Sequence, residues 1–332
     1  MEILTIFFIF SISFITTFLI TPTIRYAGLK FYAIDKRGQR KIHTKVITKL
    51  GGIAIYCGFI SGLIIFTILD FNLLNKSLIT LAGLVLCSTL MLILGVYDDF
   101  QNSRPIKKLL MQIIIALLLV RVGFVLDRVL LPGIIDIKLD KLAVPISVIW
   151  LVGISNAINL TDGLDGLAAG IVAIISLFFC FQAFIFQDHF ILYISLSLMG
   201  ASMAFLRYNF YPSKIFMGDT GSLFLGFIVG SIAIYNPHVR TNLTNPYFIP
   251  ALITLTLPII DVIFSIARRV LRKQNIFIGD FCHIHHYYIK LGFTQAQTAI
   301  RFYIMTFFLG SVSLIITYLY FVQSTKLHFY KI

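Results

Sequence analysis

The chain has 332 residues, of which 58% are hydrophobic and 12% charged, and its formal net charge is +13. Soluble domains carry about 25% charged residues, so this composition excludes an ordinary water-soluble domain and predicts a membrane protein. The net positive charge does not indicate nucleic-acid binding, because Lys and Arg cluster between apolar runs, as they do in the cytoplasmic loops of membrane proteins.

Apolar runs of about 20 residues without strict alternation predict helices rather than a barrel. We expect an all-α polytopic membrane protein, a single domain over 1–332 with about ten transmembrane helices. The ninth segment contains Pro258 and Asp261, which predicts a kink or a break. The stretch 127–141, with Pro132-Gly133 between short apolar runs, predicts a small hairpin. The ten segments run over 3–24, 51–70, 78–97, 107–126, 142–158, 164–187, 190–206, 221–236, 247–270 and 300–322.

The basic residues also predict the orientation of the chain. One set of connections holds 19 of the 27 Lys and Arg residues, which places those connections in the cytoplasm and both termini outside. Carboxylates at a membrane edge are costly and usually functional. Besides Asp261 within the ninth segment, the acids expected at the cytoplasmic face are Asp35, Asp98, Asp99, Asp162, Asp165, Asp219 and Asp280.

Two adjacent carboxylates, Asp98 and Asp99, end the third segment. They repel one another unless a divalent ion or a basic side chain is nearby. The alternative is that the two carboxylates are a solvated pair at a helix end and have no function.

The stretch NAINLTDGLDGLAAG, residues 156–170, is more specific. Asn159, Asp162 and Asp165 recur at a spacing of three, so on a helix they would share one face. Asp162 as a cap of the sixth helix is the alternative, but a cap explains one Asp and not the whole set.

The stretch FMGDTGS, residues 216–222, precedes the eighth segment. A glycine turn before a helix suits a phosphate, and Asp219 offers a hard oxygen ligand for Mg²⁺. The alternative is that Asp219 only caps the helix.

Two further segments carry basic or imidazole groups. CHIHH, residues 282–286, allows a zinc site, but five consecutive residues rarely supply every ligand of one ion, so imidazoles that face phosphates fit better. The segment 35–52 carries Arg40, Lys41 and His43, which could bind phosphate or simply form a positive cytoplasmic loop.

The order DD, NLTDGLDG, FMGDTGS and HIHH resembles the polyprenyl-phosphate N-acetylhexosamine-1-phosphate transferases, of the glycosyltransferase 4 type. HIHH, together with RKIH at 40–43 and Gly51-Gly52, is more similar to the UDP-GlcNAc:undecaprenyl-phosphate GlcNAc-1-phosphate transferase group than to the phospho-MurNAc-pentapeptide transferases, which typically carry three consecutive histidines. The chain departs from the group at Val46 and Thr48, where prolines are usual, and at Phe281, where an Arg is usual.

The resemblance implies a role for each matching residue. Asp98 would be the general base toward the lipid phosphate, with Asp99 beside it as a second catalytic residue. Asp219 would hold Mg²⁺, with Mn²⁺ as an alternative. The substrate-binding set would be Lys41, His43, Asn159, Asp162, Asp165, Asn209, Phe216, Gly218, Ser222, His283, His285 and His286.

The function expected from the resemblance is transfer of GlcNAc-1-phosphate, or a relative, from a UDP-sugar to undecaprenyl phosphate in the bacterial inner membrane. This would be the first membrane step of a cell-envelope glycan pathway, and a homodimer is compatible with it. One alternative is a phospho-MurNAc-pentapeptide transferase. A transporter would place its carboxylates near the bilayer midplane in paired halves, and a membrane zinc protease would need a motif such as HExxH, which the chain lacks.

Overall fold

The structure is a computed structural model that describes residues 2–31, 47–101, 103–131, 134–236, 246–273 and 283–329. Within these ranges the chain forms twelve α-helices and one two-stranded sheet. The prediction of an all-α polytopic membrane protein is confirmed. Side chains are described as far as Val322.

Each predicted apolar segment corresponds to one helix or to one bent pair of helices. The pair α9–α10 forms the ninth segment, and the short α11 precedes the last helix. The bounds are α1 Glu2–Lys30, α2 Gly51–Leu69, α3 Phe71–Gln101, α4 Pro105–Val120, α5 Ala143–Thr161, α6 Leu167–Ile185, α7 His189–Asn209, α8 Gly218–Ile234, α9 Phe248–Thr254, α10 Thr256–Leu271, α11 Ile284–Lys290 and α12 Gln295–Phe329.

Seven of the described helices are long and apolar enough to cross a membrane, and the bent pair α9–α10 would make an eighth. Helices α4 and α8 have 16 and 17 residues, which is at or below the length that spans a hydrocarbon core of about 30 Å. The count of ten spans and the outward placement of both termini therefore stay predictions.

The ninth segment is broken, as predicted, and its two halves meet at an angle of 70°. The break lies at Leu255 rather than at Pro258. Since α10 begins at Thr256, Pro258 falls in its first turn, where backbone N–H groups have no partner within the helix and a proline removes nothing. The proline thus helps to start α10.

The predicted hairpin is present between α4 and α5. Strands β1 Arg128–Leu131 and β2 Ile135–Lys138 pair antiparallel, with Leu130 opposite Asp136. The side chains of Arg128 and Asp136 form an ion pair. A 3-10 turn at Asp140–Leu142 leads into α5.

Helix α8 lies at the centre of the bundle. Every residue from Thr220 to Ile234 is buried, and the helix packs against α2, α3 and α5. A helix that is apolar on all sides belongs in the interior of a bundle. Its first turn carries Asp219, so the fold brings that carboxylate to the meeting point of α3, α4 and α5.

Candidate active site

Lys108 joins the two carboxylates that sequence analysis placed on different motifs. Its Nζ donates to Asp98 Oδ2 at 2.8 Å and to Asp219 Oδ2 at 2.5 Å. Asp98 also accepts hydrogen bonds from the backbone N–H and the hydroxyl of Ser103, at 2.8 and 2.5 Å. The expected positive neighbour of the Asp98-Asp99 pair is therefore a lysine on α4.

Asp99 turns the other way and caps α8. Its carboxylate accepts from the N–H of Asp219 at 3.1 Å and from the N–H and hydroxyl of Thr220 at 2.9 and 2.7 Å. Asp219 is not the cap of its own helix, since the first turn is capped across the bundle from α3. An anionic group at this end of a helix also interacts favourably with the helix dipole.

Two glycines make this approach possible. A Cβ on Gly95 would lie 2.5 Å from the carbonyl oxygen of Asp219, and a Cβ on Gly218 would lie 2.4 Å from Asp99 Oδ2. Gly218 also has a φ of +67°, a conformation that suits glycine. Gly218 therefore has a structural reason to be glycine, and its role in substrate binding stays a prediction.

Asn159, near the end of α5, fixes the other side of Asp219. Its Nδ2 donates to Asp219 Oδ1 at 2.7 Å and to Ser222 Oγ at 2.8 Å. Both oxygens of Asp219 are thus oriented, one by Lys108 and one by Asn159.

The expected helical face of Asn159, Asp162 and Asp165 is wrong. Helix α5 ends at Thr161, Asp162 is the residue after it, and α6 is preceded by Gly166 with a φ of +76°. The glycines of this motif turn the chain, so the three side chains are presented by a helix end and a turn. The alternative of Asp162 as the cap of α6 fails for the same reason.

Asp162 and Asp165 take different environments in that turn. Burial and the carboxylates of Asp219, Asp99 and Asp165 raise the pKa of Asp162 well above its usual range, and Lys49 partly offsets them. Asp165 is buried, and its Oδ2 accepts from the N–H of Ser213 at 2.9 Å. Asp162 thus belongs to a cluster of carboxylates with Asp99 and Asp219, which we call the acid cluster. Asp165 instead holds the connection between α7 and α8 through Ser213.

Asn209 and Phe216 belong to the same connection. Asn209 is buried, and its Nδ2 donates to the carbonyl oxygen of Ile215 at 2.9 Å. The backbone of Phe216 pairs with Thr48 and Gly51, at 2.9 Å in both directions. These contacts fix the loop before α8, and the roles of both side chains in substrate binding stay predictions.

The histidines form one stacked group at the start of α11. The rings of His283 and His285 are parallel within 6°, with centroids 5.6 Å apart, and His286 lies 4.3 Å from His285. Burial, reinforced by His286, lowers the pKa of His285 to about 3, so this imidazole is neutral at physiological pH. A Cβ on Gly163 would lie 2.4 Å from His285 Nε2, which places the group against the turn that carries Asp162.

A cavity of about 350 Å³ opens beside the Lys108 bridge. Its lining includes the charged side chains of Asp98, Lys108 and Arg269 together with the apolar residues Leu160 and Ile266. Arg269, on α10, is 7% exposed. A buried arginine in a helix of the bundle is costly and indicates function.

No group of three His, Cys, Asp or Glu side chains within the described ranges converges on a point that could hold a metal ion. The carboxylates at this site nevertheless supply the hard oxygen ligands that Mg²⁺ prefers. Mg²⁺ commonly binds one or two carboxylates together with waters and substrate phosphates. Burial is the main cause of the raised pKa of Asp162, and the carboxylates of Asp219, Asp99 and Asp165 add to it. The residues fit a cation that arrives with a phosphate substrate.

Some predicted residues lie outside the described ranges, namely Lys41 and His43 in 32–46 and Phe281 in 274–282. Sequence reasoning missed Lys108 and Arg269, which were counted only as cytoplasmic positive charge. The one available signal for Lys108 was the expectation that a cation relieves the Asp98-Asp99 pair.

Comparison with known proteins identifies the family. Residues 81–236 match the model of glycosyl transferase family 4. The chain is 34% identical over 308 residues to a probable undecaprenyl-phosphate N-acetylglucosaminyl 1-phosphate transferase of Bacillus subtilis, covering 92% of this chain and 83% of the relative. It is 28% identical to the decaprenyl-phosphate N-acetylglucosaminephosphotransferase of Mycolicibacterium smegmatis, covering 87% and 77%.

A second type of relative is also found. The phospho-N-acetylmuramoyl-pentapeptide-transferase of Caldicellulosiruptor bescii is 30% identical over 324 residues, covering 92% of this chain and 93% of the relative. The relatives are bacterial, and the seven or eight candidate spans make this chain a multi-pass protein of the cell membrane. The chain belongs to glycosyl transferase family 4, on the side of the polyprenyl-phosphate N-acetylglucosamine-1-phosphate transferases.

Proposed function

We propose that this protein transfers N-acetylglucosamine-1-phosphate, or a closely related hexosamine-1-phosphate, from a UDP-sugar to undecaprenyl phosphate. The products are undecaprenyl-diphospho-N-acetylhexosamine and UMP. The observation that carries the proposal is the Lys108 bridge between Asp98 and Asp219, beside a cavity lined by both charged and apolar residues. The names of the relatives support a polyprenyl-phosphate acceptor and the transfer of N-acetylglucosamine phosphate.

The acceptor phosphate fits the cavity beside α10. A lipid phosphate needs cationic groups next to an apolar surface. The lining supplies both, since it contains Lys108 and Arg269 as well as the apolar residues Leu160, Val262 and Ile266. Arginine matches the geometry of phosphate oxygens with paired N–H groups. The chain of the lipid would leave along α10, where Ile266 is 45% exposed.

The donor diphosphate would lie on the other side of Asp219, toward the start of α8 and the histidines of α11. Asn159 and Ser222 hold this side of Asp219, and His285 packs on the neighbouring turn at Gly163. In this arrangement Asp219 stands between the two substrates.

The reaction exchanges one diphosphate (phosphoanhydride) bond for another. A phosphate oxygen of the lipid forms a bond with the β-phosphorus of the UDP-sugar. The bond between that phosphorus and the bridging oxygen of UMP breaks, and its electron pair leaves with UMP. Such transfers depend on alignment and on neutralised charge more than on covalent help from the protein.

Mg²⁺ would be held by Asp219 together with the donor diphosphate, and when bound it would neutralise charge on the diphosphate oxygens. This chain supplies the rest of the alignment. Lys108 keeps Asp98 and Asp219 together, and Asp99 fixes the helix end that presents Asp219.

Within this proposal Asp98 has a different main role from the general base that the resemblance implies. Both of its oxygens already accept hydrogen bonds from Ser103 and Lys108. A phosphate monoester has its second pKa near about 6, so the acceptor is mostly a dianion at neutral pH and has little need of a base. Asp98 therefore holds the Lys108 ammonium against the acceptor phosphate.

The test is purified protein with undecaprenyl phosphate and a panel of UDP-sugars, with UMP release and the mass of the lipid product as readouts. We expect turnover with UDP-N-acetylglucosamine or its C4 epimer only when the lipid phosphate is present. Turnover with UDP-MurNAc-pentapeptide alone would assign the protein to the other group of relatives. No UMP with any donor would overturn the proposal.

Arg269→Gln is expected to weaken use of the acceptor. A hydrogen bond to a charged group contributes about 1.5–3 kcal/mol, so we expect the KM for undecaprenyl phosphate to rise by about 10-fold or more, with little change in the KM for the donor. Arg268→Gln is the matched control, because Arg268 precedes it on α10 and lines a different groove. A selective rise in the donor KM would contradict the placement of the acceptor.

A further inference from the structure

Helix α10 carries a buried carboxylate, Asp261, that has no role in the proposed reaction. Asp261 is 6% exposed, and both of its oxygens are engaged by the first residues of α11. Oδ2 lies 2.9 Å from His283 Nδ1, and Oδ1 accepts from the backbone N–H of Ile284 at 2.8 Å. One carboxylate therefore contacts two consecutive residues of the histidine motif.

The backbone contact fixes the start of α11. Helix α11 has seven residues, and His283, just before it, makes no side-chain cap of its own. So short a helix is not stable without tertiary contacts, and an unsatisfied first-turn N–H normally needs an acceptor. Asp261 supplies that acceptor from α10, as Asp99 does for α8.

The ring contact fixes the state of His283. An ionised carboxylate can only accept hydrogen bonds, so beside the ionised form of Asp261 the donor in the 2.9 Å contact is Nδ1 of His283. The proton of a neutral His283 is then on Nδ1, and the Nε2 edge of the ring is turned away from Asp261. Partners of this kind select the tautomer and the orientation of a functional imidazole.

The orientation of the His283 ring also affects the neighbouring histidine. The His283 ring stacks parallel to His285, and His285 is 2% exposed and packs against the turn at Gly163, next to Asp162. A change in the orientation of the His283 ring would therefore shift His285 and, with it, the turn that carries Asp162.

We propose that Asp261 is a positioning residue for the histidine motif, which holds the start of α11 and keeps His283 in the Nδ1-protonated form with its Nε2 edge toward the donor substrate. The last clause rests on the proposed function, whereas the tautomer and the helix contact do not. The carboxylate does not touch substrate in this proposal, and it acts only through His283 and Ile284.

Asp261→Asn separates the two contacts. The amide oxygen can still accept from Ile284, but the amide nitrogen would face Nδ1 of His283 and favour a proton on Nε2 instead. Nitrogen-15 NMR of histidine-labelled protein in detergent reads the tautomer directly, and the His283 signal is the one lost in His283→Gln. We expect an Nδ1-protonated His283 in the unaltered protein and an Nε2-protonated one in Asp261→Asn.

Kinetics then test whether Asp261 acts through His283. We expect Asp261→Asn to lower kcat/KM for the donor by about 10–100-fold, by analogy with the loss seen when the hydrogen-bond partner of a metal-ligating histidine is removed. The double variant with His283→Gln should be no slower than His283→Gln alone, because residues that act as a unit are not additive. Asp188→Asn is the control. Asp188 caps the first turn of α7, and the loop before α8 follows the opposite end of that helix, so this change should leave turnover near normal.

Three results would overturn the proposal: an Nε2-protonated His283 in the unaltered protein, an unchanged tautomer in Asp261→Asn, or losses that multiply in the double variant. The NMR readout does not depend on the reaction. A protein that releases no UMP but shows the expected tautomers would therefore refute the proposed function and leave the role of Asp261 toward His283 standing.

Discussion

Asp219→Asn should reduce transfer by about 10²–10³-fold, the size of loss seen when one preorganised electrostatic contact to a transition state is removed. An amide keeps the shape of the side chain and the hydrogen bond from Asn159. It loses the charge that pairs with Lys108 and that would hold Mg²⁺. The measurement is UMP release at saturating donor and acceptor across a range of Mg²⁺ concentrations.

The control for this variant is Asp136→Asn on the hairpin, where the carboxylate pairs with Arg128 at an exposed position. That change should leave turnover unaffected. Near-normal turnover of Asp219→Asn at ordinary Mg²⁺ would contradict the assignment of Asp219, whereas recovery only at high Mg²⁺ would support it.

Lys108→Met should be the other severe change, because it leaves Asp98 and Asp219 facing each other without their shared cation. Removing one partner of a buried ion pair costs about 3–5 kcal/mol, so we expect a lower melting temperature in detergent. We also expect at least about 100-fold slower transfer, since the same ammonium neutralises phosphate charge in the cavity. Thermal unfolding and UMP release on the same preparation give both quantities.

Two companions separate stability from catalysis. Lys107→Met changes the neighbouring lysine, which has no part in the bridge, and should behave like the unaltered protein. The double variant Lys108→Met with Asp98→Asn removes the repulsion and should regain stability without regaining activity. Recovery of full activity in the double variant would show that Lys108 serves only the fold.

Much of the fold could be predicted from the sequence because the apolar runs are long and clearly bounded. All ten runs became a helix or a bent pair, and the stretch 127–141 contains the expected pair of strands. The break in the ninth run was expected, but its position at Leu255 was not, because a proline in a first turn starts a helix as readily as it interrupts one. The number of membrane crossings depends on two helices of 16 and 17 residues, for which length alone is not decisive.

The candidate site was predicted less completely, and the reason is physical. The acids of the motifs do meet at one end of the bundle, as their shared side of the membrane indicated. Spacing along the chain could not show that Asp99 caps α8 or that Asp165 holds Ser213, because these partners are distant in sequence. Lys108 carries no local sign that distinguishes it from any other lysine of a cytoplasmic connection.

The glycines show the same limit. The spacing of Asn159, Asp162 and Asp165 was compatible with a helix face, yet the turn at Gly166 ends that possibility. Gly95, which no motif singled out, lets α3 approach the first turn of α8. Such close approaches depend on the packing of two helices and appear only in three dimensions.

The most direct test of the central claim follows the β-phosphorus of the donor. UDP-N-acetylglucosamine labelled with phosphorus-32 at the β-phosphate is incubated with the protein, Mg²⁺ and undecaprenyl phosphate, and the lipid and nucleotide products are separated. The proposed function predicts that the label enters the lipid in equal amount with the sugar and that unlabelled UMP is released. Label retained in released UDP, with only the sugar on the lipid, would show that the protein transfers a sugar rather than a sugar-1-phosphate and would contradict the proposal.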